Sequence, residues 1–305
     1  MKFVRIASSV AAAGLLAASL PAETQDKTAV FKPTGQWSLD YGEDYCRLAR
    51  TFSDGKDELA LAVERIEPGP TARLILVSNA IKPFRSADEI GWHFTPSDPE
   101  RKARYTHSTT GEGKQYYNLG PFVLAPFAPS APGNPPVPPP AFDRAKEQAT
   151  AKGMTGFALD NGLNTPVQVE TGDLSAPVAA LQACADDLAK GWGLDPAKLQ
   201  TQTSAAIPEK GGSGWLPQGT VAFGDFGKLG GGANQVRLMV DATGKATSCT
   251  VHWPTLDAAT NDKICKAALA NARFTPAKDT GGLAMPGYWI GSPLFMGPPF
   301  PGRRR

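Results

Sequence analysis

Residues 235–290, QVRLMVDATGKATSCTVHWPTLDAATNDKICKAALANARFTPAKDTGGLAMPGYWI, decide how this chain folds. Val236, Leu238 and Val240 alternate with polar or flexible positions, the signature of a strand with one apolar face. Asp241-Ala242-Thr243-Gly244 supplies a turn whose glycine can take positive φ, after which Thr247, Cys249, Val251 and Trp253 share one face of a second strand. From Leu256 to Phe274 the period changes. Cys265, Ala268, Leu269 and Ala272 fall at i, i+3, i+4 and i+7, the buried stripe of an amphipathic helix. Strand and helix therefore present Cys249 and Cys265 to each other, and a final apolar strand, about Leu283 to Ile290, completes a small βαβ module.

The order of strand, Asp241 and Gly244 turn, strand with Cys249, helix start at Leu256-Asp257, Cys265, then Arg273-Phe274-Thr275-Pro276-Ala277 and Gly281-Gly282 resembles the TonB C-terminal domain. It resembles in particular periplasmic relatives in which a cysteine pair joins strand to helix. The resemblance covers roughly a quarter of the chain. It implies β-augmentation, in which an edge strand pairs with an extended peptide segment of an envelope protein. The residues it points to here are Leu283, Met285, Tyr288 and Ile290, with Pro286 removing one donor from the ladder.

Upstream, Lys2 and Arg5 precede an apolar run from Ile6 to Leu20 and then Pro21-Ala22, which reads as a secretory signal peptide over residues 1–22. The run is short for a bilayer span of roughly 20 residues, so no integral span is expected once it is cleaved. The alternative is an uncleaved anchor in the inner membrane. Removing residues 1–22 takes away two cations and no acidic residue, leaving 29 Lys and Arg against 29 Asp and Glu. A neutral mature chain, with only Arg303-Arg304-Arg305 concentrated, offers no extended basic surface for nucleic acid. Four cysteines in an exported chain read as two disulfides. Three pairings are possible, and the local geometry of the module favours Cys249 with Cys265, which leaves Cys46 with Cys184.

About 280 mature residues at 41% apolar composition suggest two domains. The expected fold class is α+β: an N-terminal antiparallel sheet with helices over residues 27–198, linked to the module at 215–295. Strands are expected at Trp37–Tyr41, Cys46–Phe52, Leu59–Val63 and Arg73–Val77, as a meander with turns at Ser53-Asp54-Gly55-Lys56 and Glu67-Pro68-Gly69-Pro70. Ser97 to Lys114 is polar enough to read as long turns joining short strands. Residues 120–141 carry a proline tract expected as an exposed polyproline II loop. A short helix is expected over Ala141–Lys152. A longer one over Ser175–Lys190 carries the stripe Leu174, Val178, Leu181, Ala185, Leu188 and Trp192, with Ser175 as N-cap and Cys184 at the stripe's edge. Residues 199–214 read as an interdomain linker and 296–305 as a flexible tail.

No stretch carries a catalytic constellation. Gly211-Gly212-Ser213-Gly214-Trp215 lacks the last glycine of a nucleophile elbow and the strand that feeds one. Ser53-x-x-Lys56 falls in a predicted turn, Asp279-Thr280-Gly281 has no second copy to supply a partner carboxylate, and Gly230-Gly231-Gly232 lacks the G-K-[ST] of a phosphate loop. Without a C-x-x-C pair, and with only His93, His107 and His252, no metal site is expected. Alternation puts His93 and His252 on the opposite face from their aromatic neighbours, which predicts surface histidines. The expectation is a non-enzymatic periplasmic protein without cofactors that binds or scaffolds other proteins. The alternatives are a membrane-anchored TonB-like energy transducer and a periplasmic hydrolase.

Overall fold

The computed structural model describes residues 28–125, 142–229 and 232–298. The expected signal peptide, most of the proline tract, Gly230-Gly231 and the arginine end lie outside the described residues. The N-terminal part is one eleven-stranded sheet. Its strands are β1 (Ala29–Pro33), β2 (Ser38–Tyr41), β3 (Cys46–Ser53), β4 (Glu58–Arg65), β5 (Thr71–Val77), β6 (Glu89–Thr95), β7 (Arg101–Arg104), β8 (Thr106–Thr109), β9 (Gln115–Val123), β10 (Gly156–Asn161) and β11 (Val167–Val169). They run in the order β7-β6-β10-β11-β1-β3-β4-β5-β9-β8, with β2 alongside β3. The meander β2 to β5 is antiparallel throughout.

Two features correct the expected layout. The pair β1–β11 is parallel, so the sheet is mixed rather than antiparallel. Polar Ser97–Lys114, expected as turns, supplies the two end strands of the sheet, β7 and β8, and only Tyr105 separates them in sequence. Two Cα steps span under about 8 Å, so the sheet must curl until its ends meet. Curling encloses Phe31, Phe52, Leu59, Leu61, Leu74, Leu76, Ile90 and Leu159, all fully buried or nearly so. An aromatic cluster of Trp92, Phe94, Phe122 and Phe157 packs at centroid distances of 5.3–6.0 Å. β9 also runs through Gly120 and Pro121, which were expected in the proline loop.

Helices α1 (Arg144–Lys152) and α2 (Ser175–Gly191) pack on this sheet. Asp143 caps α1 by accepting from the Lys146 amide. α2 buries its expected stripe, but Ser175 is not its cap: Leu174 takes that position without a side-chain bond, and Asp173 accepts from the Ser175 amide instead. On the helix-facing side Arg65 and Glu147, each 1% exposed, form a buried ion pair. Gln182 of α2 donates to the second oxygen of Glu147 at 2.7 Å. The Cys46–Cys184 disulfide then ties β3 to α2.

The C-terminal part contains α3 (Pro196–Thr201), β12 (Ile207–Pro208), β13 (Gln235–Val240), β14 (Ala246–His252), α4 (Ala258–Asn271), β15 (Phe274–Thr275), β16 (Ala277–Lys278), β17 (Ala284–Met285) and β18 (Gly287–Gly291). β13 lies between β14 and β18 and is antiparallel to both, so β14–α4–β18 is a crossover over one face of a three-stranded sheet. Gly244 takes φ +83° in the hairpin turn, where an added Cβ would stand 2.0 Å from the Phe274 carbonyl oxygen, so only glycine fits. Val236, Leu238, Val240, Ile264, Ala268 and Phe274 form this part's own core, and Cys249–Cys265 joins sheet to helix.

Residues 199–214 are not a bare linker. Ser204 bridges to Lys278 and β12 pairs with β15. Trp215 then stacks between Phe274 and Trp289 at 5.1 and 5.2 Å. The expected tail is also pinned at its start: Met296 is fully buried, and the amides of Gly214 and Leu216 donate to the carbonyls of Gly297 and Met296. These segments bond through two or three residues at a time, too few to show a period. Among the described residues no helix is long and apolar enough to cross a membrane, and the two disulfides fit an exported protein.

Candidate functional site

Register and alternation divide the three-stranded sheet into two faces. Val236, Leu238, Cys249 and Trp289 face α4, while Arg237, Met239, Thr250, His252, Tyr288 and Ile290 face away. That second face is not wet. It meets the outer surface of β3, β4 and β5, where Arg47, Glu64 and Arg73 stand directly opposite one another across three strands. Glu64, 1% exposed, receives Arg47 Nη2 at 2.5 Å and Arg73 Nη2 at 2.6 Å. The two arginines neutralise the carboxylate that burial would otherwise disfavour.

Three contacts lock the two surfaces together. Arg237, 6% exposed, donates to Asp44 at 2.7 Å and to Thr250 at 3.1 Å, with its guanidinium 3.9 Å above the Trp192 ring. Trp192 in turn packs edge-on against Tyr288 at 5.5 Å. Arg73 lies 3.1 Å from the centroid of Trp253. Trp253 takes φ +45°, which a bulky residue rarely adopts. It is held there by Asn234, whose amide donates to the Trp253 carbonyl and whose side-chain oxygen accepts from the Thr255 and Leu256 amides.

His252 sits inside this contact at 5% exposure, which overturns its reading as a surface histidine. Alternation correctly put it on the polar face; the N-terminal sheet covers that face. Burial, with Arg237 and Arg73 adding repulsion against the partial attraction of Asp44, depresses its imidazolium to about 4, so the ring is neutral at pH 7. Burial likewise lowers Arg237 and Arg73 below the ordinary arginine value, opposed by Asp44 and Glu64 respectively. His93 is half-buried and pairs with Asp160 at 3.0 Å, and His107 is exposed beside Gln115.

Beside Trp253 the two parts leave a cavity of about 460 Å³. Ile66, Glu67, Thr71, Pro121, Ile290 and Phe295 are among its walls. This is the size of a small-ligand pocket. Burial raises the Glu67 carboxyl above the usual range, against the opposing effects of its hydrogen bond with Thr71 and the charge of Arg65. Burial also pushes the Tyr288 phenol well above its ordinary value, and the Glu67 charge adds to the shift.

The expected peptide-binding edge is dispersed by this geometry. Pro286 divides Leu283–Ile290 into two strands in different sheets: Met285 pairs with Ala277 and is buried, whereas Tyr288 and Ile290 pair with Met239 and Arg237. Leu283 is exposed and belongs to neither strand. Of these four, Ile290 alone lines the cavity, while Met285 and Tyr288 pack in one cluster with Trp192 and Met239. The other residues of the contact and its cavity, Glu64, Glu67, Arg73 and Arg237, were missed because each is an ordinary charged residue on the polar face of a strand.

The chemical motifs resolve as local structure. Ser53 closes the β3–β4 turn by donating to the Asp57 carbonyl, Asp279 accepts from the Gly281 and Leu283 amides, and Ser213 donates to the Gly297 carbonyl. Among the described residues no group of three or more His, Cys, Asp or Glu is placed to hold a metal ion. No protein family, curated protein or solved structure matches this chain.

Proposed function

We propose that this chain is a periplasmic envelope protein that binds or scaffolds other proteins without catalysis, its C-terminal module holding an extended peptide along the outer edge of β18. One observation carries the reading. Among the described residues β18 ends its sheet with no strand beyond it, and Ile290 of that strand lines the cavity. An unpaired strand edge offers backbone donors and acceptors in register, and a neighbouring cavity offers a place for a side chain. The two disulfides support the oxidising compartment.

Main-chain pairing makes capture depend on strand geometry more than on one side chain. Ile290→Pro removes a backbone donor and is expected to abolish peptide capture, while Ile290→Val leaves it nearly unchanged. The test is a crosslinking pull-down with both variants after circular dichroism shows each to be folded. Equal capture by the folded proline variant excludes β18 as the binding edge.

A further inference from the structure

Glu67 is the one carboxylate in the cavity wall that no arginine neutralises directly. Glu64, the other acid lining it, is held by Arg47 and Arg73. Glu67 is half-buried in the β4–β5 turn, where its carboxylate is hydrogen-bonded with Thr71. The turn lies against β18: a Cβ built on Gly69 would stand 3.6 Å from the Tyr288 hydroxyl and 3.8 Å from the Glu67 carboxyl carbon. The wall also contains apolar and aromatic Ile66, Pro121, Trp253, Ile290 and Phe295, and one cation, Arg73, whose charge is taken up by Glu64 and whose guanidinium lies on Trp253.

A partly aromatic chamber whose one carboxylate outside an ion pair is Glu67 suits a long hydrocarbon stem that ends in a cation. We propose that the cavity is a specificity pocket for a basic side chain of the bound peptide, whose stem packs on Ile66, Ile290 and Phe295 and whose charged end pairs with Glu67. The pocket rests on the β18 reading, because a strand laid on that edge is what delivers the side chain to Ile290. Charge complementarity selects the occupant: an acidic side chain would meet Glu67 with like charge, and an apolar one would leave the carboxylate desolvated and unpaired. Glutamine at this position keeps a side-chain oxygen that can accept from Thr71, so Glu67→Gln removes the charge while retaining the turn's hydrogen bond.

The experiment selects heptapeptides from a random phage-displayed library on the full mature protein and measures labelled copies by fluorescence anisotropy against wild type, Glu67→Gln and Ile290→Pro. Selected peptides are expected to share a lysine or arginine at one position. Replacing it with norleucine weakens binding roughly tenfold to a hundredfold, the range of a charge-assisted hydrogen bond. Glu67→Gln produces the same loss and makes the norleucine substitution silent. Peptides without a basic preference, or bound equally by Glu67→Gln, overturn the pocket; if those peptides are still lost with Ile290→Pro, the edge reading stands alone. Peptides lost with Glu67→Gln but retained by folded Ile290→Pro keep the pocket and remove the edge. A library that yields no binder removes both.

Discussion

Acid should weaken this protein through His252 in particular. Its folded-state value of about 4 lies below the ordinary 6.5, so between those limits the unfolded chain binds a proton that the folded chain refuses. The stabilisation is fully present above about pH 6.5 and is lost progressively as the pH falls through 4. At about 1.36 kcal/mol per pH unit, the interval corresponds to about 3 kcal/mol. Exposed carboxylates such as Asp241 and Asp257, whose values are lowered by side-chain hydrogen bonds with Thr243 and Thr260 respectively, add to acid destabilisation, so the wild-type curve alone does not isolate the histidine. His252→Gln removes the ionisation and retains a neutral polar group. Urea unfolding followed by tryptophan fluorescence at intervals from pH 7.5 to 4 reports the contact through Trp192 and Trp253, which stack on Arg237 and Arg73. Wild type should lose about 3 kcal/mol more than the variant over this range. Parallel curves would refute the burial of a neutral His252 and with it the closed contact between the two sheets.

Other perturbations test the frame that holds this contact. Replacing Cys46 and Cys184 together with serine releases a loop closed over 138 residues and should cost about 5 kcal/mol in the chain-entropy treatment, against about 3 kcal/mol for the 16-residue Cys249–Cys265 loop; guanidinium midpoints of the two double variants give the comparison, and equal losses contradict it. Glu147→Ala leaves the Arg65 cation buried without its partner and should destabilise by about 3–5 kcal/mol. Combining Arg65→Met with Glu147→Leu should recover most of that loss by thermal unfolding, and additive single-variant losses would count against the pair acting as a unit.

Much of each separate element was legible. The stripes of α2 and α4 follow from 3.6-residue spacing, and Cys249 with Cys265 follows from an inward strand position facing an inward helix position. The N-terminal meander is readable too, since β3 and β4 carry alternating apolar positions and β5 a short continuous apolar run, all bounded by turn residues. What escaped was pairing that involves few residues or polar strands. β7 and β8 are polar because they are short strands at the ends of the sheet, and β12 buries little of itself, so hydrophobic period carries no signal for either.

The candidate site shows the same division more sharply. Its aromatic and apolar members, Tyr288 and Ile290, were marked by the resemblance as edge residues, but Leu283 and Met285 were assigned to the same strand although Pro286 separates them. Glu67 and Arg73 carried no mark at all. Alternation states which residues share a face, and an apolar face must be buried; a polar face is silent about whether water or another sheet will cover it.

Helix and strand content, the partners of all four cysteines through local geometry and elimination, and the glycine at the β13–β14 turn can be read from the chain alone, because each depends on residues close in sequence or on a count of thiols. Long-range packing sets the rest: the N-terminal sheet curls until its ends meet, Ala206 and Met296 join the C-terminal core, and His252 and Arg237 are buried in a polar contact. Those outcomes depend on which two surfaces come together. Charges such as Glu64 and Arg73 are tolerated inside only because the opposing strand supplies their counter-ions, and that compensation exists only once the strands are aligned.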